Sequence, residues 1–242
     1  FFHFKCCCVL LAMRRAEQDA GASIHRDVYV TRHGARIDNG PDRDFAWLSK
    51  AGHSRRDDPH LSPSGTNAAV ELADHLATTC GTGLAHIVSS PFVRCIETAD
   101  KVAASLGLPI KIEPGIAEVM VSFPPVLLSD EDLGRRFARV DLSYKPVLPR
   151  TQLVRESGDG QAAARARATA LAVRERLDGP VLFVGHGASC LGIVQAFGAH
   201  GYVGYCSLSH FTPSKGGGWD LVGKLGAVDH MTDKETARCS AW

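Results

Sequence analysis

Charge of either sign in excess is what this chain most lacks: 27 basic residues stand against 26 acidic ones, and charged residues make up only 22% of its 242 positions. A formal net charge of +1 leaves no broad electrostatic footprint, so neither nucleic acid nor an anionic membrane surface is an expected partner. Also missing is any Cys-x-x-Cys pair. The eight cysteines fall as an adjoining trio, Cys6, Cys7 and Cys8, and as Cys80, Cys95, Cys190, Cys206 and Cys239 standing singly, which reads most simply as a reduced, cytoplasmic chain. There is no internal repeat. No apolar run is long enough to span a bilayer: Phe1 to Ala12 is too short, and its basic pair Arg14-Arg15 follows rather than precedes it. Stable membrane insertion is therefore not expected. Residues 1–24 read as an extension outside the fold with Met13 as the functional start, a palmitoylated anchor at the cysteine trio being the sharper alternative.

What is present is local. Val28-Tyr29-Val30-Thr31 is a short, β-branched run that ends in Arg32-His33-Gly34-Ala35-Arg36, the pattern of a buried parallel strand delivering side chains at its carboxyl end. Ligands of open α/β sheets sit there. Arginine presents a planar fork that matches phosphate oxygens, so Arg32 and Arg36 beside His33 point to a phosphoryl group rather than a carbonyl. A surface arginine and a turn glycine beside a structural histidine would give the same tripeptide, so the rest of the chain has to decide. A second strand, Ile87-Val88, leads to Ser90, expected as the N-cap of a helix with Pro91 at its first position, Arg94 in its first turn and Gly107 at its end. An arginine so placed faces the sheet mouth, where a helix N-terminus already favours anions. A third strand, Pro180 to Val184, runs into Gly185-His186-Gly187 and repeats the geometry of His33.

With these residues the chain resembles the histidine phosphatase, or phosphoglycerate mutase-like, superfamily. The resemblance implies His33 as the phosphorylated nucleophile, with Arg32, Arg36, Arg94 and His186 as the phosphate pocket. Arg36 stands where the mutases carry serine, and Gly187 replaces the aspartate donor of the acid phosphatases. The branch that fits is similar to the phosphatase domain of the ubiquitin-associated and SH3-domain-containing proteins. Its motifs recur as Asp-Pro-x-Leu-Ser at 58–62, Ser-Pro-x-x-Arg-Cys at 90–95, Glu-Pro-Gly-Ile at 113–116, Val-Asp-Leu-x-Tyr at 140–144 and Pro-x-Leu-Pro-Arg at 146–150, a resemblance covering about residues 27–200. It implies the catalytic domain alone, without the modules that precede it in those relatives. Glu118 maps to the catalytic acid, but where the branch often reads Phe-Glu-Trp this chain has Ala117-Glu118-Val119, which implies a smaller substrate wall. On spacing alone Glu118 could equally be a solvated turn residue.

The implied chemistry is coherent. Phosphoryl transfer needs positioning and charge neutralisation, which arginines and a second imidazole supply; a neutral imidazole is nucleophilic near pH 7; and a carboxyl group can protonate the leaving oxygen and then activate water. No metal and no cofactor are called for. The expected function is a phosphomonoesterase working through phosphohistidine on aryl phosphates or phosphotyrosine, with a phosphorylated small molecule or a phosphotyrosine protein as partner. A mutase-type phosphotransferase and a non-catalytic phosphopeptide-binding pseudophosphatase are the alternatives, and a homodimer is left open.

Around these motifs strands and helices alternate. Ser62-Pro63 opens one helix, Ser129 to Asp132 forms a capping box for a short one, and Ala166 to Leu177 marks a long one stopped by Gly179-Pro180. The alternation predicts a three-layer α/β/α sandwich with a mainly parallel sheet and a catalytic domain over residues 25–228. Two stretches break it: 35–60, a polar loop, and 115–156, proline-rich and expected as a cap insertion over the site. Trp47 and Phe123 are candidates to line that cap or to staple their loops to the core. Two strands are expected around Tyr205–Phe211 and Trp219–Val222, and a disordered tail over 229–242. Cys95, beside Arg94, could be redox-sensitive, although a small buried hydrophobe is the simpler expectation.

Overall fold

A computed structural model describes residues 26–39, 42–44, 46–47, 58–80 and 83–238. The readings placed on residues 1–25, Cys239 and most of 40–57 fall outside these. The central sheet has six strands in the order β3-β2-β4-β1-β5-β6: β1 (Val28–Arg32), β2 (His86–Ser89), β3 (Ile110–Ile112), β4 (Val181–Gly185), β5 (Leu208–Pro213) and β6 (Trp219–Ala227). The first four run parallel, while β5 and β6 join antiparallel at one edge. The order of the parallel strands follows from helical crossovers, α1 (Pro63–Thr79) and α2 (Val93–Leu106) on one side, α4 (Asp159–Arg176) and α5 (Gly187–Ala196) on the other, with the short α3 (Asp130–Arg136) between them in sequence.

Both faces of the central strands are covered, which is why β1 and β4 read as unbroken apolar runs. In β4, Leu182 and Val184 pack with Leu72, Leu76 and Ile96 of the α1 and α2 layer, whereas Val181 and Phe183 pack with Ala166, Val173 and Ile193 of the α4 and α5 layer. Truncating a buried leucine such as Leu72 would cost about 2–5 kcal/mol. Helix α1 starts as its sequence requires, the Ser62 hydroxyl accepting from Gly65 N–H with proline at the first turn, and α2 ends on Gly107 at φ 68°.

Three expectations are corrected. Ser90 is not the N-cap of α2: the helix begins at Val93 after Phe92, with no side-chain cap from that residue. The Val93 N–H is instead accepted by Asp58 Oδ1 at 2.8 Å, and the Ser90 hydroxyl is engaged elsewhere. The strand expected from Tyr205 begins only at Leu208, because Cys206 at φ 51° turns the backbone out of the extended region. The expected disorder beyond Val228 does not hold for residues 229–238. Met231, Thr236 and Ala237 are buried, and Lys234–Arg238 form α6.

The 115–156 segment divides in two. Its middle extends the sheet past β3, where Ile110 N–H bonds Arg139 O at 2.7 Å and Asp141 N–H bonds Ile110 O at 2.9 Å. Its first eleven residues, 115–125, reach the cleft at the carboxyl ends of the strands.

Candidate active site

The ladder of the parallel sheet continues one step past its strands and fixes the residues that follow them. His33 N–H bonds Gly185 O at 3.0 Å, and Ser90 N–H bonds Val184 O at 3.0 Å. His33, Ser90 and His186 are thus brought to one mouth as fully buried groups, with Arg94 on the first turn of α2 and 1% exposed. Gly34 is required here by close approach: a Cβ on it would lie 2.4 Å from Gly65 O, where the loop after β1 crosses the start of α1.

His33 Nδ1 lies 2.7 Å from Gly34 O. A carbonyl oxygen only accepts, so Nδ1 carries the proton and Nε2 keeps its lone pair, which in turn accepts from Arg94 Nε at 3.2 Å. Burial first, then Arg94, His186 and Arg32, hold His33 well below the ordinary histidine range. It is therefore a neutral imidazole with a fixed tautomer at physiological pH. His186 is held down to about 4, by burial against the opposing pull of Glu118. Ser90 Oγ sits 2.7 Å from His186 Nε2 and accepts from Phe92 N–H at 3.4 Å. The other ring nitrogen, His186 Nδ1, lies 3.3 Å from Glu118 Oε2.

Arg94 ties these groups together. Its Nη2 lies 3.3 Å from Glu118 Oε2 and 3.2 Å from His186 Nδ1, and its guanidinium stacks on Phe92 at 4.5 Å. Arg32 is held differently, flat on the Tyr205 ring at 4.2 Å and donating to Tyr202 Oη at 2.8 Å. Its Nε is buried and makes no hydrogen bond among the described residues, a free donor at the mouth.

Burial opposes ionisation of Glu118, but the His186 ring and Arg94 outweigh it and hold the carboxyl well below the usual carboxylate range. Its backbone is clamped from beneath. Arg165 donates to Gly115 O at 2.9 Å and Glu118 O at 3.0 Å while pairing with Glu156 at 2.8 and 2.9 Å, and Glu156 in turn accepts from Met120 N–H at 2.9 Å.

Of the six residues singled out in the sequence, His33, Arg32, Arg94, His186 and Glu118 meet at the mouth, and Arg36 lines the cleft beside Arg94 and Glu118 with its guanidinium paired with Asp38 at 2.8 and 2.5 Å. Val119 lines the cleft as well, whereas Ala117 is fully buried in the core, so only one of the two small residues belongs to a substrate wall. Trp47 packs edge-on to His60 with ring centroids 5.9 Å apart, and Phe123 is exposed; neither borders the cleft. Cys95 is buried, with its thiol pushed well above the ordinary range by that burial, so it packs as an unreactive hydrophobe. Sequence reasoning missed Ser90 as a partner of His186, and Tyr202 and Tyr205 as the seat of Arg32. The first had a signal, the Ser-Pro step before the arginine-bearing helix; the tyrosines depend on the Arg32–Tyr205 bridge between distant segments.

The cleft measures about 230 Å³ and is bordered by Phe92, Arg94, Glu118, Val119, Met120 and Pro125 among others. A larger one, about 430 Å³ beside Tyr29 and His210, shares none of these residues. One ligand atom each of His33, Glu118 and His186 falls within 4.8 Å of the others, the outline of a cation site. The Arg94 guanidinium already stands among them, however, so the space suits an anion.

A profile of the histidine phosphatase superfamily (branch 1) matches residues 28–222. The ecdysteroid-phosphate phosphatase of Drosophila melanogaster is 29% identical over 204 residues, 69% of this chain and 26% of that protein. Ubiquitin-associated and SH3 domain-containing protein A of Mus musculus is 30% identical over 159 residues, 53% of this chain and 25% of that protein. The chain thus spans about a quarter of the length of these curated relatives. Among solved structures, the ecdysone phosphate phosphatase of Bombix mori in complex with tungstate superposes with a TM-score of 0.63 at 22% identity, covering 82% of this chain and 92% of that one. A phosphoserine phosphatase of Entamoeba histolytica gives 0.55 at 18% identity over 85% and 98%. The fold is that of these phosphoglycerate mutase-like proteins, and no described helix is long and apolar enough to cross a membrane. On the extent of the profile match, the chain belongs to branch 1 of the histidine phosphatase superfamily.

Proposed function

We propose that the chain hydrolyses phosphate monoesters through a phosphohistidine on His33, with small aryl phosphates, phosphotyrosine included, as the substrate class. The observation that carries this is the tautomer of His33, whose Nδ1 proton is committed to Gly34 O and whose Nε2 lone pair faces Arg94. The ester phosphate binds against Arg32, Arg94 and His186, and Nε2 attacks phosphorus in line with the leaving oxygen. The P–O bond breaks as the N–P bond forms. Glu118 is ionised in the empty pocket, but a dianion bound to Arg94 draws that guanidinium's charge away from it and raises its carboxyl. It therefore takes up a proton with substrate, passes it to the leaving oxygen, and as carboxylate accepts a proton from the water that cleaves phosphohistidine. No metal or cofactor enters these steps.

The apolar part of the cleft, Phe92, Val119, Met120 and Pro125 beside the polar Arg36, Arg94, Glu118 and Ser122, supports an aryl leaving group, and a volume of about 230 Å³ suits one ring. The relative described as an ecdysteroid-phosphate phosphatase supports hydrolysis of a phosphate ester of an organic hydroxyl compound. The test is to mix the enzyme with p-nitrophenyl phosphate and quench in alkali. The trapped phosphate should be acid-labile and base-stable, and His33→Ala should lose both label and turnover. Label that survives in His33→Ala would move the nucleophile to another residue. Interconversion of phosphoglycerates faster than hydrolysis would replace the hydrolase with the mutase.

A further inference from the structure

One buried carboxylate beside the pocket has no part in the steps above. Asp58, 6% exposed, accepts the N–H of Val93 at the start of α2 and lies 3.8 Å from Nη1 of Arg94, on the side of that guanidinium away from the histidines. Nη1 is buried and makes no hydrogen bond among the described residues, whereas Nε and Nη2 face His33, His186 and Glu118. A guanidinium binds phosphate best through one edge carrying two parallel N–H groups. Here the edge turned toward the mouth is Nε with Nη2, and Asp58 stands behind the opposite corner.

We propose that Asp58 is a positioning residue which orients Arg94, so that its Nε–Nη2 edge is presented to the transferring phosphoryl group. This rests on the phosphatase reading above. The groups facing Asp58 are Val93 N–H, Arg94 and Glu97 from α2 and Arg136 from α3. Burial raises its carboxyl to about 6, against the opposing pull of Arg94. An acid raised in the folded state is held there at a cost above that value, and the cost disappears as pH falls through it.

The test is Asp58→Asn, which retains an oxygen for Val93 N–H and removes only the charge. Sulfate, dianionic throughout pH 5–8, serves as the anion probe by calorimetry and as a competitive inhibitor of p-nitrophenyl phosphate hydrolysis. Expected are a kcat/KM about tenfold lower, sulfate affinity about tenfold weaker at pH 7.5, and a melting temperature equal to or above that of the wild type. Sulfate affinity of the wild type should itself weaken as pH falls from 7 to 5, which tests the idea even if the variant does not fold. Sulfate bound as tightly or more tightly by Asp58→Asn would mean that Asp58 merely repels anions, and activity lost in step with melting temperature would make it a structural cap; either overturns the proposal. Sulfate binding that follows Asp58 in a wild-type protein without turnover would instead leave the positioning intact and remove the phosphatase reading.

Discussion

The two halves of the pocket are built by different means. The groups proposed to face the phosphate, His33, Arg32, Arg94 and His186, lie at or just past strand ends or on the first turn of a helix, and main-chain bonds between β1, β2 and β4 locate them. The half proposed to face the leaving group, residues 117–125, has no strand or helix of its own. It is held by side chains: Arg165 and Glu156 clamp the backbone around Glu118, and one step earlier Glu113, wholly buried, accepts from Gly115, Val147 and Leu148 N–H and from Tyr144 Oη. A sheet ladder tolerates side-chain change because every rung is main chain. A clamp of two charged side chains does not, so substitution of Arg165 or Glu156 should disturb residues 117–125 more than the ladder-held groups.

The sharpest way to separate the halves is Glu118→Gln. General acid assistance is worth roughly 10²–10⁴-fold and grows with the basicity of the leaving oxygen. Hydrolysis of alkyl phosphates should fall by that range while p-nitrophenyl phosphate, whose phenolate leaves unaided, falls far less. Equal losses on both substrates would show that Glu118 serves phosphate binding and that the two halves are one.

Arg32→Lys is the complementary change. Lysine cannot keep the stack on Tyr205 or offer a fork, and loss of one preorganised charge-stabilising group costs on the order of 10²–10³-fold. Because Arg32 faces the phosphate, the loss should be the same for alkyl and aryl substrates. A loss that depends on the leaving group would place Arg32 in the other half.

The same division explains what could be read from the amino acids. The placement of His33 and His186 was legible, because a β-branched run ending in Arg-His-Gly, and another ending in Gly-His-Gly, leave little freedom as to where those histidines go. The helix spacing from Ile96 to Ala103 and the stop at Gly107 were legible for the same local reason. The motifs at 140–150 were legible as a pattern but not as physics. They look like a signature of substrate choice, yet Tyr144, Val147 and Leu148 are partners of buried Glu113 and lie away from the cleft. Ala117 was misplaced in the same way, since in a segment without periodicity nothing local says which residue of Ala-Glu-Val turns inward. Burial of Met231 and Ala237 was invisible because the tail of the chain packs on α1 and on the turn at Gly204, contacts more than a hundred residues distant in part.

Glu156→Gln loosens the clamp without touching any group at the mouth. Breaking a buried ion pair by removing one charge costs about 3–5 kcal/mol, and Arg165 and Glu156 are 11% and 5% exposed. The variant should melt at a lower temperature, and below its melting point kcat should fall by about tenfold with inhibition by inorganic phosphate unchanged. Weakened phosphate inhibition would mean that the clamp also supports the first half.

The smallest effect is expected from Val119→Trp, and it bears on substrate choice alone. Val119 is half-buried and borders the cleft beside Phe92 and Pro125. An indole there can pack on an aryl leaving group, and an aromatic pair is worth about 0.5–1.5 kcal/mol beyond area, so KM for p-nitrophenyl phosphate and phosphotyrosine should fall twofold to tenfold. Phosphoserine, with no ring to stack, should be unaffected, as should inhibition by inorganic phosphate, which fills only the ladder-built half. The companion change Ala117→Phe belongs to a different class: its side chain would enter a filled core, where added volume costs about 1–3 kcal/mol, and it should lower stability without tightening any substrate. If Val119→Trp tightens phosphoserine as much as phosphotyrosine, or blocks both, the wall at 119 closes over the phosphate rather than over the leaving group. The separation of the two halves then fails at the residue where it was drawn most finely.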